Sequence, residues 1–109
     1  MAVVKSQLFA SDPDAFATLS QVVSGTLRLG QAGTGGFPPV VTDDFAVGML
    51  QQALARMGFP TPSGATNHFG PETATSVANF KAFWSLTPAD GVAGRRTISA
   101  LDYEMLQLE

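Results

Sequence analysis

The chain contains no cysteine. Disulfides, thiolate metal ligands and cysteine nucleophiles are excluded together, while a cysteine-free sequence suits any compartment. Charge is scarce as well: 14% of residues are charged, and six Lys and Arg face nine Asp and Glu for a net −3. A nucleic-acid ligand calls for a basic surplus that displaces counterions, so this balance excludes that class of partner. Only Arg95 and Arg96 are adjacent basic residues. No run approaches the roughly 18 apolar residues of a membrane-spanning helix. The N-terminal MAVVKSQLFASDPD has no sustained apolar stretch of signal-peptide length,. The expectation is a chain that stays in the cytoplasm or reaches the envelope by a non-classical route.

What is present describes an ordinary globular domain. The 109 residues, 45% of them hydrophobic, make one domain that buries roughly two-thirds of its unfolded surface. A first helix is expected to be capped by Ser11 and to run to about Val22, with Asp12, Pro13 and Asp14 in its first turn and Phe16, Leu19 and Val23 inward,. It stops near Ser24-Gly25. Leu27 and Leu29 alternate around Arg28 as a brief extended piece. GQAGTGGFPPVV, residues 30–41, reads as a Gly/Pro-rich linker without a regular element,. That divides the chain into an N-terminal extension, 1–41, and a helical domain, 42–109.

Three helices follow. The second is expected to take Thr42 as cap and Asp43 and Asp44 as its first turn, to present Val47, Leu50, Leu54 and Met57, and to stop at Gly58,. Gly48 inside it costs about 1 kcal/mol relative to Ala unless a neighbour packs close. The third starts at Pro71 and turns Thr73, Val77, Phe80 and Trp84 inward. The fourth starts near Arg95 and presents Ile98, Leu101, Met105 and Leu108. The class is all-α.

The turns before the last two helices repeat. Asn67 aligns with Gly91, Gly70 with Gly94, Thr73 with Thr97 and Val77 with Leu101, each pair 24 residues apart. Asn67 and Gly91 are types that accept positive φ. Gly70 and Gly94 are small caps that leave helix-start N–H groups open.

These residues resemble the peptidoglycan-binding domain family. LQQALARMGF (50–59) is similar to the family's L-Q-x-x-L-x-x-x-G-[FY], FGPETATSVANFK (69–81) to F-G-x-x-T-x-x-A-V-x-x-F-Q, and DGVAGRRTISAL (90–101) to D-G-x-x-G-x-x-T-x-x-A-L. The resemblance implies a compact orthogonal three-helix bundle with a pseudo-repeat, used as a cell-wall anchor in bacteria. The chain departs from the pattern at Thr66-Asn67, where the family has D-G, at Lys81 for glutamine, and at Ser85 for glycine.

Chemistry-bearing residues are few. His68 is the single histidine and has no spaced partners, so it reads as a surface turn residue and no metal or cofactor is expected,. Asp12 with Asp14 and Asp43 with Asp44 suit helix starts better than acid–base work. Serines such as Ser63 have no partner base identifiable by motif, and GQAGTGG lacks the G-K-[ST] ending of a phosphate loop. Phe80 and Trp84 share one helix face and read as core rather than as a sugar-stacking platform, while Phe83 projects outward. Phe69 reads as a buried staple at a helix entry.

The helix starts after Gly70 and Gly94 are the best binding surface, because open N–H groups attract carboxylates such as those of a stem peptide. With the resemblance they nominate Asn67, Phe69, Gly70, Lys81, Asp90, Arg95 and Arg96 as ligand-binding residues. The leading function is a non-catalytic module that recognises wall polymer. The alternative is a protein–protein adaptor in a larger assembly, such as a phage-like or contractile secretion particle. In that reading VVKSQLF (3–9) adds to a partner's sheet edge.

Overall fold

In a computed structural model that describes residues 3–109, five helices and one minimal sheet follow the chain. They are α1 (Gln7–Ala10), α2 (Pro13–Ser24), β1 (Arg28–Leu29), β2 (Val40–Val41), α3 (Phe45–Arg56), α4 (Pro71–Phe83) and α5 (Arg95–Leu108). Met1 and Ala2, the start of the stretch read for a signal, lie outside the described residues. Among the described residues no helix is long and apolar enough to cross a membrane. The all-α class and the three-helix bundle of α3, α4 and α5 agree with the expectation.

Each helix begins and ends for local reasons, though not always at the expected residue. Asp12, not Ser11, caps α2: its carboxylate accepts from the N–H groups of Asp14 at 2.9 Å and Ala15 at 3.0 Å. Ser11 instead closes the short α1, donating its hydroxyl to Leu8 O at 2.6 Å. Likewise Asp44 caps α3 through Ala46 N–H at 2.8 Å, because the Thr42 hydroxyl is committed to Gly30 O at 2.8 Å. Thr42 and Asp43 therefore precede the helix.

Three helices close in the same way. Gly25, Gly58 and Ser85 hold the left-handed conformation, at φ 89, 92 and 58. The next N–H reaches back to a carbonyl one turn inside: Thr26 to Gln21 at 3.0 Å, Phe59 to Leu54 at 2.8 Å and Leu86 to Lys81 at 2.7 Å,. Val40 and Val41 also depart from the expected linker, since they pair in parallel with Arg28 and Leu29.

The core draws on every helix. Val4 and Phe9 meet Leu19 and Val22 of α2, Leu29 of β1, Leu50 and Leu54 of α3, Val77 and Phe80 of α4, and Ile98, Leu101 and Met105 of α5, all buried. Two expected core positions are not: Trp84 is 39% exposed at the end of α4, and Leu108 is 62% exposed at the end of α5. Both side chains stand at the ends of their stripes and are left exposed.

The N-terminal segment is bound into the same core. Asp102 on α5 accepts from Lys5 N–H at 2.8 Å and Ser6 N–H at 2.7 Å. Glu109 accepts from Gln7 N–H at 2.8 Å. Val4, Ser6, Leu8 and Phe9 are buried, so VVKSQLF packs against its own chain rather than standing free as an edge-adding arm.

Candidate ligand-binding turns

The two repeated turns are built alike at the backbone. Gly70 caps α4 at φ −104, ψ −168, and Gly94 caps α5 at φ −99, ψ −163, neither with a side-chain cap. Phe69 N–H donates to Thr42 O at 2.8 Å, and its counterpart Ala93 N–H donates to Leu29 O at 2.8 Å. Thr73 and Thr97 are buried one turn inside each helix, as are Val77 and Leu101.

A single polar side chain secures each turn from beneath. Gln51 of α3 is buried; its Nε2 donates to Thr73 Oγ1 at 2.9 Å and His68 O at 3.1 Å. Its Oε1 accepts from Thr66 N–H at 2.8 Å and Asn67 N–H at 3.1 Å. In the second turn Lys81 of α4 takes this place. Its Nζ donates to Val92 O at 2.7 Å, the carbonyl 24 residues after that of His68, and to Asp90 Oδ1 at 2.6 Å. Lysine in place of the family glutamine is thus matched by an acid in the turn. The first turn has glutamine and no acid.

The Asp90 carboxyl is held below its ordinary value. Burial alone pushes it up, but the hydrogen bonds from Lys81 and from Val92 N–H, with the Lys81 and Arg28 charges, outweigh that,.

Backbone demands differ between the turns. Asn67 does adopt positive φ, at 66, and its side chain lies so close over α3 that a Cβ on Gly48 would overlap its Oδ1. This is the close neighbour that a glycine inside α3 requires. Gly91 is not in the left-handed region. It is glycine because a Cβ there would come 2.9 Å from the carbonyl oxygen of Ala74, so the second turn rests directly on the backbone of α4.

The nominated residues fall into two groups. Asn67, Phe69 and Gly70 belong to the first turn, where Phe69 is buried in the core. Lys81, Asp90, Arg95 and Arg96 belong to the second, where Lys81 is buried and bonded and both arginines are exposed.

The helix starts differ in charge. At α4, Glu72 occupies the first turn and accepts from Ser63 N–H at 2.8 Å, beside a concavity of about 260 Å³ lined by His68, Gly70 and Glu72. At α5 there is no acid in the first turn. A concavity of about 260 Å³ there is lined by Gly25, Leu27, Arg28, Pro38, Gly94 and Arg95, and a neighbouring one by Arg28, Lys81, Asp90 and Gly94. Arg28, which sequence reasoning treated only as a strand residue, is fixed by Pro38 O at 2.6 Å and Gly35 O at 2.8 Å. Its guanidinium is therefore held beside the start of α5 by a loop that the bundle motifs do not include.

A concavity of about 690 Å³ is open and lies between α2, the start of α3 and the first turn, where Asp14, Asp43, Asp44, Phe45 and Asn67 line it. His68 Nδ1 lies 2.6 Å from Asp43 Oδ1 at the surface nearby. Among the described residues no three metal-ligating side chains converge.

A helical bundle with paired glycine-capped turns, each pinned by one buried polar side chain, defines a small module that presents helix starts at its surface. Residues 44–101 match the family model described as "Putative peptidoglycan binding domain". That match covers more than half of the 109 residues, and the chain belongs to this family. No curated protein and no solved structure gives a significant match.

Proposed function

We propose that the chain is a non-catalytic module that recognises bacterial peptidoglycan, with its peptide-contacting face at the start of α5. Family membership supports the polymer. One observation supports the face: three of the six basic residues, Arg28, Arg95 and Arg96, gather around one helix start in a chain of net charge −3, while Lys81 beside them is paired with Asp90. Stem peptides carry carboxylates. The open N–H groups and positive dipole end of α5 suit such a group, and the arginine side chains add charge-assisted donors. Glu72 disfavours the same ligand at α4. On this reading 42–109 carries the recognition turns, and 1–41 is an extension that completes the face through Arg28.

Co-sedimentation with insoluble peptidoglycan tests the reading. Wild type should pellet at low and moderate salt and be released as salt rises, because exposed charges are screened over about 10 Å at 0.1 M. Replacing Arg95 and Arg96 together by Glu should weaken pelleting by about tenfold, and Glu72→Gln should leave it unchanged. Protein that stays in the supernatant beside a pelleting control domain would refute wall binding. Pelleting that survives the double substitution would move the face elsewhere.

A further inference from the structure

The end of α4 carries a group of aromatic rings that the turns do not use. Phe80 is buried, whereas Phe83 is 72% exposed and Trp84 39% exposed. Phe59, just past the end of α3, lies edge-on to Phe80 at 5.9 Å and holds Phe83 at 5.8 Å. Trp84 contacts Phe80 at 6.0 Å and Phe83 at 5.8 Å, with the last two planes at 76°. The rings are held in place before anything binds. Leu86 N–H closes the helix end on Lys81 O at 2.7 Å, which fixes the backbone of Trp84, and each exposed ring leans on a neighbour.

We propose that Phe83 and Trp84 form a subsite for the uncharged sugar rings of a glycan strand. The inference rests on the peptidoglycan reading and adds a second contact to it, separate from the arginines of α5. Three features select a sugar. The segment from Ala82 to Ala89 holds no charged residue, so it offers nothing to an acidic or basic peptide. Its exposed large apolar side chains are both aromatic; an aromatic face, negative over the ring, meets the slightly positive C–H hydrogens of a pyranose. Exposed Asn79 and Ser85 on the same helix end supply amide and hydroxyl groups for sugar hydroxyls,. The rings are already ordered, so little side-chain entropy opposes binding.

Trp84 is the only tryptophan in the chain, so its fluorescence reports on this subsite alone. Purified full-length protein is titrated with neutral N-acetylglucosamine oligomers as the glycan probe, and pelleting with intact wall is measured in parallel. The expected result is a saturable change in Trp84 emission, with Phe83→Ala weakening the titration by about tenfold. Trp84→Ala should weaken pelleting by a similar factor. Phe83 is a surface residue, and a circular dichroism melt confirms that its variant folds. Pelleting with intact wall while Trp84 emission stays constant overturns the subsite and leaves the wall reading standing. Unaltered glycan affinity in Phe83→Ala overturns it as well. Failure of both pelleting and titration removes the underlying reading. An emission shift that follows protein concentration without glycan assigns the rings to a second copy of the chain and overturns the proposal.

Discussion

Gln51 satisfies both ends of its amide inside the protein, donating to Thr66, His68 and Thr73 and accepting from the N–H groups of Thr66 and Asn67. Removing it strands the buried Thr73 hydroxyl and partly buried backbone groups of the turn, which is where single substitutions become expensive,. Gln51→Ala should lower stability by about 2–4 kcal/mol, read as a lower denaturant midpoint with an unchanged slope. An effect below about 0.5 kcal/mol would mean that water replaces the amide at no cost. Ser85 presents the opposite case. It is a non-glycine residue at φ 58, closing a helix as Gly25 and Gly58 close theirs. Relief of the left-handed penalty exceeds the entropy that glycine adds to the unfolded chain. Ser85→Gly should therefore raise stability by about 0.5–1 kcal/mol, measured by the same denaturation. Neither the Gln51 network nor the strain at Ser85 is visible in periodicity. The family pattern marks both positions, as a glutamine kept and a glycine lost.

At the scale of elements, four helices were legible because their apolar residues recur at three and four and because Pro13, Gly25, Gly58, Pro71 and Gly94 punctuate them,. Their first residues were less so. Ser11 stands beside Asp12, and Thr42 and Asp43 beside Asp44; each can cap, and the choice is made by a distant partner such as Gly30 O. Trp84 and Leu108 illustrate the other limit, since a stripe says where a side chain points but not whether anything faces it. The four-residue α1 is too short to show a period, and its start is held by Asp102 on a helix at the other end of the chain. In the candidate turns, Arg95 and Arg96 stood out by adjacency, whereas Arg28 gave no signal because its neighbour in space is the 35–38 loop. The link from α4 to the second turn can be tested by pH. The folded carboxyl of Asp90 lies below its unfolded value of about 3.9, so its contribution is fully present above that value and fades as pH falls through the folded one,. Wild type should exceed Asp90→Asn in melting temperature at neutral pH, and the two should converge below about pH 4. A half-exposed carboxylate makes this difference no more than about 1 kcal/mol. Curves that run parallel to pH 2 would show that the Lys81 bond contributes nothing.

For the whole molecule, the decisive fact is that the family match begins at residue 44 while the core does not. Val4, Phe9, Leu19, Val22 and Leu29 are buried in the one core, and α1 and α2 pack against α3 and α5. Each such side chain contributes about 1.5–3 kcal/mol on burial, and a domain of this size holds only about 5–15 kcal/mol in all. Residues 42–109 alone should therefore lose the cooperative melt of the full chain and expose the apolar faces of α3 and α5 to a hydrophobic dye. Asp102→Ala supplies the graded version. It leaves every apolar residue in place but strands the N–H groups of Lys5 and Ser6, so it should cost about 1–3 kcal/mol. In that variant, hydrogen exchange should speed up first in residues 4–10, ahead of α3 and α4. If instead the 42–109 fragment melts cooperatively at the full-length temperature, the N-terminal packing is an accessory contact. Arg28 would then be the one reason for the proposed face to require that segment. Pelleting the folded fragment with peptidoglycan, beside a full-length Arg28→Ala variant, would decide whether that reason holds: equal loss in both assigns the contribution of residues 1–41 to that one guanidinium.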